Sequence, residues 1–281
     1  MLHFPAEAFP PSQPAFIFTA YSLGYFISFA ACVLIGLAAW TRRSVNGSSL
    51  LLLMIISAGL WSFFGIFESS ATALETKIIF SKLEYLVGQP LPVLLFLFSI
   101  YHAGLKRYLK PTATILLFLI PVATILLAFS NQYHGLVWSS FIPGPTGSNL
   151  IIYGHGFWYW IGVIGYSGLC IFISSALLIG FSVTSHRIFR GRLMMVIAGA
   201  LLPWIAVLVY SSPLNPLPGY DLGRIVIPVS VALFLLAITR GRLLELVPIQ
   251  RSLVFESIRD GVMILDNQDT IIDVNQEAAA L

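Results

Sequence analysis

The stretch that decides the fold is FIFTAYSLGYFISFAACVLIGLAAW, residues 16–40, which contains no charged side chain. A helix needs about 20 apolar residues to cross the roughly 30 Å hydrocarbon core of a bilayer. In lipid the backbone must satisfy its hydrogen bonds within the segment, so this stretch predicts a helix. Further runs of the same character lead us to predict seven membrane helices. These runs span residues 48–67, 85–103, 111–130, 157–183, 193–211 and 222–239.

The composition of the 281-residue chain points the same way. Hydrophobic residues make up 58% of the chain and charged residues 10%, whereas an ordinary globular domain is about 25% charged. A protein with this composition cannot cover its surface with polar groups, so its surface must face lipid. This excludes a soluble enzyme, a nucleic-acid-binding module and a disordered scaffold. Cys32 and Cys170 both lie within apolar runs and predict neither a disulfide framework nor a zinc site.

The basic residues are distributed unequally between the two sides of the predicted bundle. The loops after the first, third, fifth and seventh helices contain Arg42, Arg43, Lys106, Arg107, Lys110, Arg187, Arg190, Arg192, Arg240 and Arg242. The opposite loops are predicted to contain only Lys77, Lys82 and Arg224. Because cytoplasmic loops are enriched in Lys and Arg, we expect the N-terminus outside and the C-terminus in the cytoplasm.

Small residues recur at every fourth position of the first predicted helix. They are Ala20, Gly24, Ser28, Cys32 and Gly36. Small residues at this spacing let a second helix approach closely, since lipid gives helices no hydrophobic reason to pair. The stripe is typical of packing within the chain, and dimerisation is the alternative.

The chain changes character after the seventh helix, because residues 243–281 contain more than half of the acidic residues. GRLLELVPIQRSLVFESI, residues 241–258, predicts a linker helix that leaves the membrane and is interrupted near Pro248. GVMILD and IIDVN then predict two strands around the polar turn NQDT. Asn275 stands where it would cap a helix formed by QEAAAL.

The end of the chain, DGVMILDNQDTIIDVNQEAAAL (residues 260–281), resembles the opening of a PAS domain. The DG before the first strand and the DVN before the helix stand where that family has them. About a quarter of such a domain is present, so we expect it to be incomplete, from a fragment or a shortened reading frame. The predicted organisation is an extracellular N-terminus (1–15), a sensor domain (16–240), a juxtamembrane linker helix (241–258) and the PAS start (259–281).

The chain as a whole resembles the seven-helix N-terminal sensor region of bacterial and archaeal histidine kinases. The resemblance rests on LEYLVGQPLPVLLFLFSIYHAG (83–104), on the segment from HGLVW (134–138) to YGHGFWYW (153–160), and on the proline-containing linker. It implies an all-α, seven-helix transmembrane bundle with its N-terminus outside, followed by a truncated α/β PAS start.

The resemblance also implies a function and partners. The chain would be the sensory input module of a two-component histidine kinase, homodimeric in a prokaryotic plasma membrane and acting on a response regulator. Diguanylate cyclases carry similar input regions, which leaves the output open. The sequence contains no phosphoacceptor-helix motif, no glycine-rich ATP-lid motif and no GGDEF motif. We therefore predict no catalytic residue and no cofactor in this chain, with ATP and Mg²⁺ needed only by a kinase domain beyond it.

The sequence lacks the motifs that are typical of several other membrane functions. A microbial rhodopsin needs a lysine in its seventh helix for retinal, and LGRIVIPVSVALFLLAIT (222–239) has none. A membrane protease would show HExxH or paired catalytic polar residues, which are absent from the sequence. A transporter would show an inverted repeat or charges within the spans, and charges there are nearly absent. A small-solute transporter and an inert membrane anchor remain the alternatives of another class.

Two groups of residues are candidates for sensing a signal. Glu68 and Glu84 stand near the outer ends of helices two and three, where a carboxyl group can sense protons, bind a cation or simply be hydrated. Gln89 follows Glu84 and predicts an interhelical hydrogen bond. The outer segment 131–160 holds His134, Trp138, His155 and Trp158 among many aromatic residues and no lysine or arginine. Such aromatics predict an interfacial belt or, alternatively, a ligand pocket, and two histidines alone do not predict a metal site.

Two further features concern the path of a signal. Asp221 and Arg224 stand three residues apart at the start of helix seven and predict a local ion pair. Pro228 and Pro248 each remove a backbone donor, so either is a candidate hinge through which helix seven would move the linker.

Overall fold

The computed structural model describes residues 14–41, 48–105, 107, 109–184, 187–239, 258, 260–265 and 271–279. The chain forms two compact units, Met1–Leu244 and Glu245–Leu281. The first unit contains the apolar helices and the second contains the segment that resembles a PAS domain. The predicted linker helix (241–258), with Pro248, lies outside the described residues apart from residue 258.

The first unit is built mainly of helices, with one hairpin of two strands. In chain order the elements are α1 (Ala20–Trp40), α2 (Ser48–Ser70), α3 (Leu74–Gly88), α4 (Leu91–His102), α5 (Pro111–Leu117), α6 (Leu119–Phe129), β1 (Trp138–Pro143), β2 (Ile151–His155), a π-helical stretch (Tyr159–Gly165), α7 (Tyr166–Thr184), α8 (Arg187–Tyr210) and α9 (Leu222–Thr239). The most extensive packing joins α8 to α9, α1 to α2, α2 to α3 and α4 to α7.

Among the described residues, six helical segments are long and apolar enough to cross a membrane. They are Ala20–Trp40, Ser49–Ser70, Leu74–Tyr101, Pro111–Phe129, Tyr159–Phe181 and Leu193–Tyr210. The seventh predicted span coincides with α9, whose apolar part is the shorter stretch Leu222–Phe234. The prediction that the third span begins at residue 85 is wrong, because the helix already begins at Leu74. Its first turns carry charged residues that look like a loop in the sequence but are held by partners described below.

Prolines explain where the long helical segments are interrupted. Pro121 has no N–H to donate to the carbonyl of Leu117, and the helix breaks at Phe118 between α5 and α6. The hydroxyl of Tyr166 on α7 donates to that freed carbonyl at 2.5 Å. Pro90 and Pro92 remove donors in the same way at the junction of α3 and α4. A proline therefore leaves a backbone carbonyl without a helical partner, and a side chain of a neighbouring helix can donate a hydrogen bond to it.

A β-hairpin lies in the first unit, where the all-α prediction has no strand. Strands β1 and β2 pair antiparallel from Trp138 opposite His155 to Pro143 opposite Ile151. Asn131 stabilises the entrance to the hairpin, since its side-chain oxygen accepts from the N–H groups of Val137 at 2.9 Å and Trp138 at 3.0 Å. The aromatic residues of 131–160, for which the sequence predicts an interfacial belt, therefore differ in burial. Trp138 is 3% exposed and packs inward, whereas Tyr133 is 83% exposed.

The small residues of α1 pack within the chain. A side chain at Gly24 would collide with the hydroxyl of Tyr220, and one at Gly36 would touch Ile55 of α2 at 3.4 Å. The Tyr220 ring stacks on that of Tyr25, with ring centres 4.9 Å apart. The stripe therefore serves the contacts of α1 with α2 and with the segment that leads into α9, as the first of the two interpretations predicts.

The second unit shows the predicted strands and helix cap. Strand β3 (Met263–Leu265) pairs antiparallel with β4 (Ile271–Val274), and α10 (Gln276–Ala279) follows. The side-chain oxygen of Asn275 accepts from the N–H of Ala278 at 2.9 Å, which confirms the predicted cap. The same oxygen accepts from the N–H of Val262 at 2.8 Å. One fully buried side chain thus joins the helix start to the approach to β3.

Candidate functional site

A buried cluster of charged side chains surrounds Arg224, which projects from the first turn of α9. Its Nη1 donates to Oε1 of Glu84 on α3 at 2.9 Å, and its Nε donates to Oδ2 of Asp221 at 3.0 Å. Glu68 on α2 lies 3.9 Å from the same Nη1. We call Arg224, Asp221, Glu84 and Glu68 the carboxylate cluster. The predicted pair between Asp221 and Arg224 is confirmed, and the structure adds two carboxylates from other helices.

Neighbouring hydroxyl groups and an aromatic ring complete the surroundings of the cluster. Tyr153 of β2 donates to Oε1 of Glu68 at 2.8 Å and lies 2.7 Å from Oγ of Ser81 on α3. Burial raises the pKa of Tyr153 well above its ordinary value, so its hydroxyl keeps its proton near neutral pH. The Arg224 guanidinium lies over the ring of Tyr25 on α1, 4.7 Å from its centre. The cluster therefore connects α1, α2, α3, α9 and the hairpin.

A second buried cation lies close by, but its partners are of another kind. Nζ of Lys77 donates to the backbone oxygens of Asn149 at 2.7 Å and Glu68 at 2.9 Å. The Asn149 side chain donates to the carbonyls of Ser69, Ser70 and Ala71 at 3.0, 3.1 and 3.1 Å. These carbonyls lie at and just after the end of α2, where they have no partner within the helix. We call Lys77, Asn149 and these carbonyls the helix-end clamp.

A cavity of about 240 Å³ opens beside the carboxylate cluster. Glu84, Asp221 and Arg224 form its charged end. The remaining walls are mostly aromatic and aliphatic, and come from α2, α3, α4, α7, α8, α9 and the hairpin. The aromatic wall residues are Trp61, Tyr85, Trp138, Tyr153, His155, Tyr159, Trp204, Tyr210 and Phe234. A mostly apolar pocket with a few convergent polar groups is the usual form of a small-molecule site.

Two ring nitrogens in the cavity wall have no hydrogen-bond partner among the described residues. They are Nδ1 of His155 and Nε1 of Trp204. The imidazole of His155 stacks on the Tyr159 ring at 3.7 Å between ring centres. Burial lowers the pKa of His155 to about 4, although the charge of Asp221 opposes the shift. The imidazole is therefore neutral at physiological pH.

Several sensing residues predicted from sequence lie at this site. Glu84, Gln89, Trp138 and His155 line the cavity, and Glu68 belongs to the carboxylate cluster. The interpretation of Glu68 and Glu84 as hydrated interfacial groups is wrong, since they are only 4% and 5% exposed. The premise that charges are nearly absent from the spans is also wrong. Lys77, Lys82 and Arg224 lie on helices and not in loops, as the structure shows.

The other predicted residues lie elsewhere. His134 is exposed, and its ring is engaged by Oγ of Ser130 at 3.1 Å and the N–H of Leu136 at 3.0 Å. Trp158 donates to Oγ1 of Thr124 at 2.9 Å and packs beside the hairpin. Neither residue lines the cavity. Pro228 lies inside α9, and Pro248 lies outside the described residues.

Sequence reasoning missed Trp61 and Trp204, and it did not predict the contact of Tyr153, one of the aromatic residues of 131–160, with Glu68. Tyr153 comes to Glu68 only because the hairpin folds back over the ends of α2 and α3. Trp61 and Trp204 read as ordinary apolar residues of their helices. An available signal was the position of Arg224, because an arginine within a membrane helix requires a buried counter-charge.

Comparison with known protein families agrees with the architecture. A family described as the N-terminal 7TM region of histidine kinase matches residues 24–248. A PAS domain family matches residues 250–281. No curated protein and no solved structure matches the chain. With the apolar helices, the first match identifies a multi-pass membrane protein.

Proposed function

Because the chain belongs to the family of N-terminal seven-transmembrane regions of histidine kinases, we propose that it is the membrane-embedded sensory input module of a two-component sensor kinase. The module receives a signal in the cavity or at the carboxylate cluster. It relays that signal through α9 to the PAS segment and to a cytoplasmic output domain. The output transfers phosphate from ATP through a histidine to a response regulator, and the full protein acts as a homodimer.

The observation that carries this proposal is the position of α9. Its first turn supplies Arg224 to the carboxylate cluster, and its C-terminal end leads into the linker and the PAS segment. Pro228, one turn further along α9, has no N–H for the carbonyl of Arg224. The residue that binds three carboxylates thus lies where the helix lacks a backbone hydrogen bond. A change in the cluster has a mechanical route into α9 at a point where helices bend.

The proposed orientation has the N-terminus outside in a prokaryotic plasma membrane. Its support is the unequal distribution of basic residues in the sequence. In addition, the N–H of Ile17 donates to the carbonyl of Ser70 at 2.7 Å, and Asn149 reaches the same end of α2. The N-terminal segment, the α2–α3 junction and the hairpin therefore lie at one end of the bundle. By the alternation of the predicted spans, the basic loops of the sequence are expected on the opposite, cytoplasmic side.

The test is autophosphorylation of the whole gene product, reconstituted in lipid nanodiscs with ATP and Mg²⁺. Pro228→Ala restores a donor within α9 and should change the autophosphorylation rate by about fivefold or more, the lower range of usual coupling between sites. Pro111→Ala is the matched control, because Pro111 occupies the first position of α5, where no helical hydrogen bond is lost. Equal rates for wild type and both variants would contradict a relay through α9.

Translation of the nucleotides after codon 281 decides which output is assayed. A kinase domain calls for the phosphorylation assay, and a GGDEF domain for cyclase activity with the same two variants. Replacement of residues 1–240 by an unrelated membrane domain distinguishes a sensor from an inert anchor, since an anchor leaves regulation unchanged. Uptake of solute into vesicles by this region alone would instead indicate a transporter.

A further inference from the structure

The charged end of the cavity has more carboxyl groups than cations. Glu84 and Asp221 line it together with Arg224, and Glu68 lies 3.9 Å from the same guanidinium without lining the cavity. The positive charge of Lys77 is directed at backbone carbonyls and does not line the cavity. His155 adds no charge at neutral pH. A carboxylate without a partner inside a protein is costly, so a cationic group would stabilise this end and an anionic one would not.

Glu84 also has an atom available for such a group. Its Oε1 accepts from Arg224, whereas within the described part of the chain nothing donates to its Oε2. The residue is 5% exposed and lines the cavity, so this oxygen is available to a group bound there. A carboxylate oxygen so placed needs a donor from outside the protein. An ammonium group supplies a donor and a positive charge together.

The rest of the cavity suits the body of an organic cation. Trp61, Tyr85 and Trp204 line the cavity from α2, α3 and α8, and aromatic faces attract cations as well as apolar groups. The cavity volume is about 240 Å³. It lies below the 300–1,000 Å³ usual for drug-sized ligands, so the occupant is small.

We propose that the cavity binds a small organic amine, with its ammonium group on Glu84 and its apolar body between Trp61, Tyr85 and Trp204. This inference rests on the proposed sensory function and names the chemical class of the signal. Arg224 holds Glu84 in place through Oε1 and leaves Oε2 to the amine. Binding would add a cation to a cluster that contains the first turn of α9, which links occupancy to the proposed relay.

The test uses three probes of nearly the same size and different charge: 2-phenylethylamine, 2-phenylethanol and phenylacetate. Each is titrated calorimetrically into the chain in nanodiscs, and the heat from empty nanodiscs is subtracted. We expect saturable binding of the amine with a Kd below about 1 mM, and at least about tenfold weaker binding of the other two probes. Equal or tighter binding of the alcohol or the acid, or no saturable binding of the amine, would overturn the proposal.

Matched variants locate the site. Glu84→Gln keeps the shape of the side chain and should weaken amine binding about tenfold, with little change for the alcohol. Glu75→Gln is the control, since Glu75 is an exposed residue in the first turn of the same helix. Trp204→Leu removes one aromatic wall and gives a second test if Glu84→Gln does not fold. Amine affinity unchanged in folded Glu84→Gln or in Trp204→Leu would refute the assignment.

This experiment is independent of the output assay. Amine binding by a protein whose phosphorylation ignores both Pro228→Ala and the amine would leave the cavity assignment intact and refute the relay. Phosphorylation that responds to Pro228→Ala in a protein that binds no amine would support the relay and refute the cavity assignment.

Discussion

The helix-end clamp and the carboxylate cluster each bury one cation, but they neutralise it in different ways. Lys77 donates to fixed backbone carbonyls and makes no contact with the cavity. Arg224 is held by ionisable side chains from three elements and lies at the cavity surface. A cation on backbone carbonyls holds segments together in one arrangement. The electrostatic energy of a cation among carboxylates changes when another charged group binds nearby. The carboxylate cluster is therefore suited to sensing, and the helix-end clamp to stabilising the fold.

Removal of the Arg224 guanidinium is the most direct test of this difference between the two regions. Arg224→Met leaves three carboxyl groups around an apolar side chain, and loss of one partner from a buried ion pair costs about 3–5 kcal/mol. We expect that loss in the free energy of unfolding, measured by denaturant titration in mixed micelles. Lys82→Met is the control, because Lys82 donates from a more exposed position to the carbonyl of Phe129. The control should lose about 1 kcal/mol or less. Equal losses would mean that Arg224 is not the centre of a buried cluster.

The clamp gives the second test. Lys77→Met removes the donor for the carbonyls of Glu68 and Asn149, and we expect a loss of about 3 kcal/mol since each unsatisfied buried acceptor costs about 1–3 kcal/mol. The preference for amine over alcohol should stay the same, as measured by calorimetry on folded protein. If Lys77→Met alters that preference as strongly as Glu84→Gln does, the clamp is part of the binding site and the distinction fails.

A smaller effect is expected from the space beside Arg224. A side chain at Gly65 on α2 would meet Nη1 of Arg224 and come within 3.1 Å of its Cδ. Gly65→Ala should therefore shift the guanidinium and cost about 1–2 kcal/mol, as overpacking of an interior does. Gly191→Ala on α8 meets nothing within 4 Å and should stabilise the helix by about 0.5–1 kcal/mol. A Gly65→Ala variant as stable as Gly191→Ala would show that Arg224 has room to move.

The sequence predicts the helices better than the site because the two depend on different information. Apolar runs and the Asn275 cap are local, and the structure has the cap and most of the runs where the sequence places them. Long-range contacts have no local signature. The hairpin that brings Tyr153 to Glu68 lies 85 residues further along the chain.

The start of α3 shows the same limit. Lys77 and Glu84 make its first turns look like a loop, and only their partners from α2, the hairpin and α9 explain why the membrane segment begins at Leu74. A charged residue in a membrane helix is thus predicted correctly only together with its partner. The local pair of Asp221 and Arg224 was predicted because its two members are neighbours in sequence.

The smallest effect concerns His155, the uncharged neighbour of the cluster. Burial lowers the pKa of its imidazole from 6.5 to about 4, so between these values the unfolded chain binds a proton that the folded chain does not. Stability should therefore fall as the pH is lowered through this range. His155→Phe keeps a ring to stack on Tyr159 and removes this contribution, about 1 kcal/mol at pH 5.5.

The measurement is the difference between wild type and His155→Phe in the free energy of unfolding at pH 7.5 and at pH 5.5. Titration of the other groups is common to both proteins and cancels in this difference. A difference that does not change with pH would mean that the folded protein protonates His155 as readily as the unfolded chain. In mild acid the cavity would then hold a second positive charge, on His155, which would offset the carboxyl groups at its wall. The contrast between the carboxylate cluster and the helix-end clamp would in that case apply only above the pKa of His155.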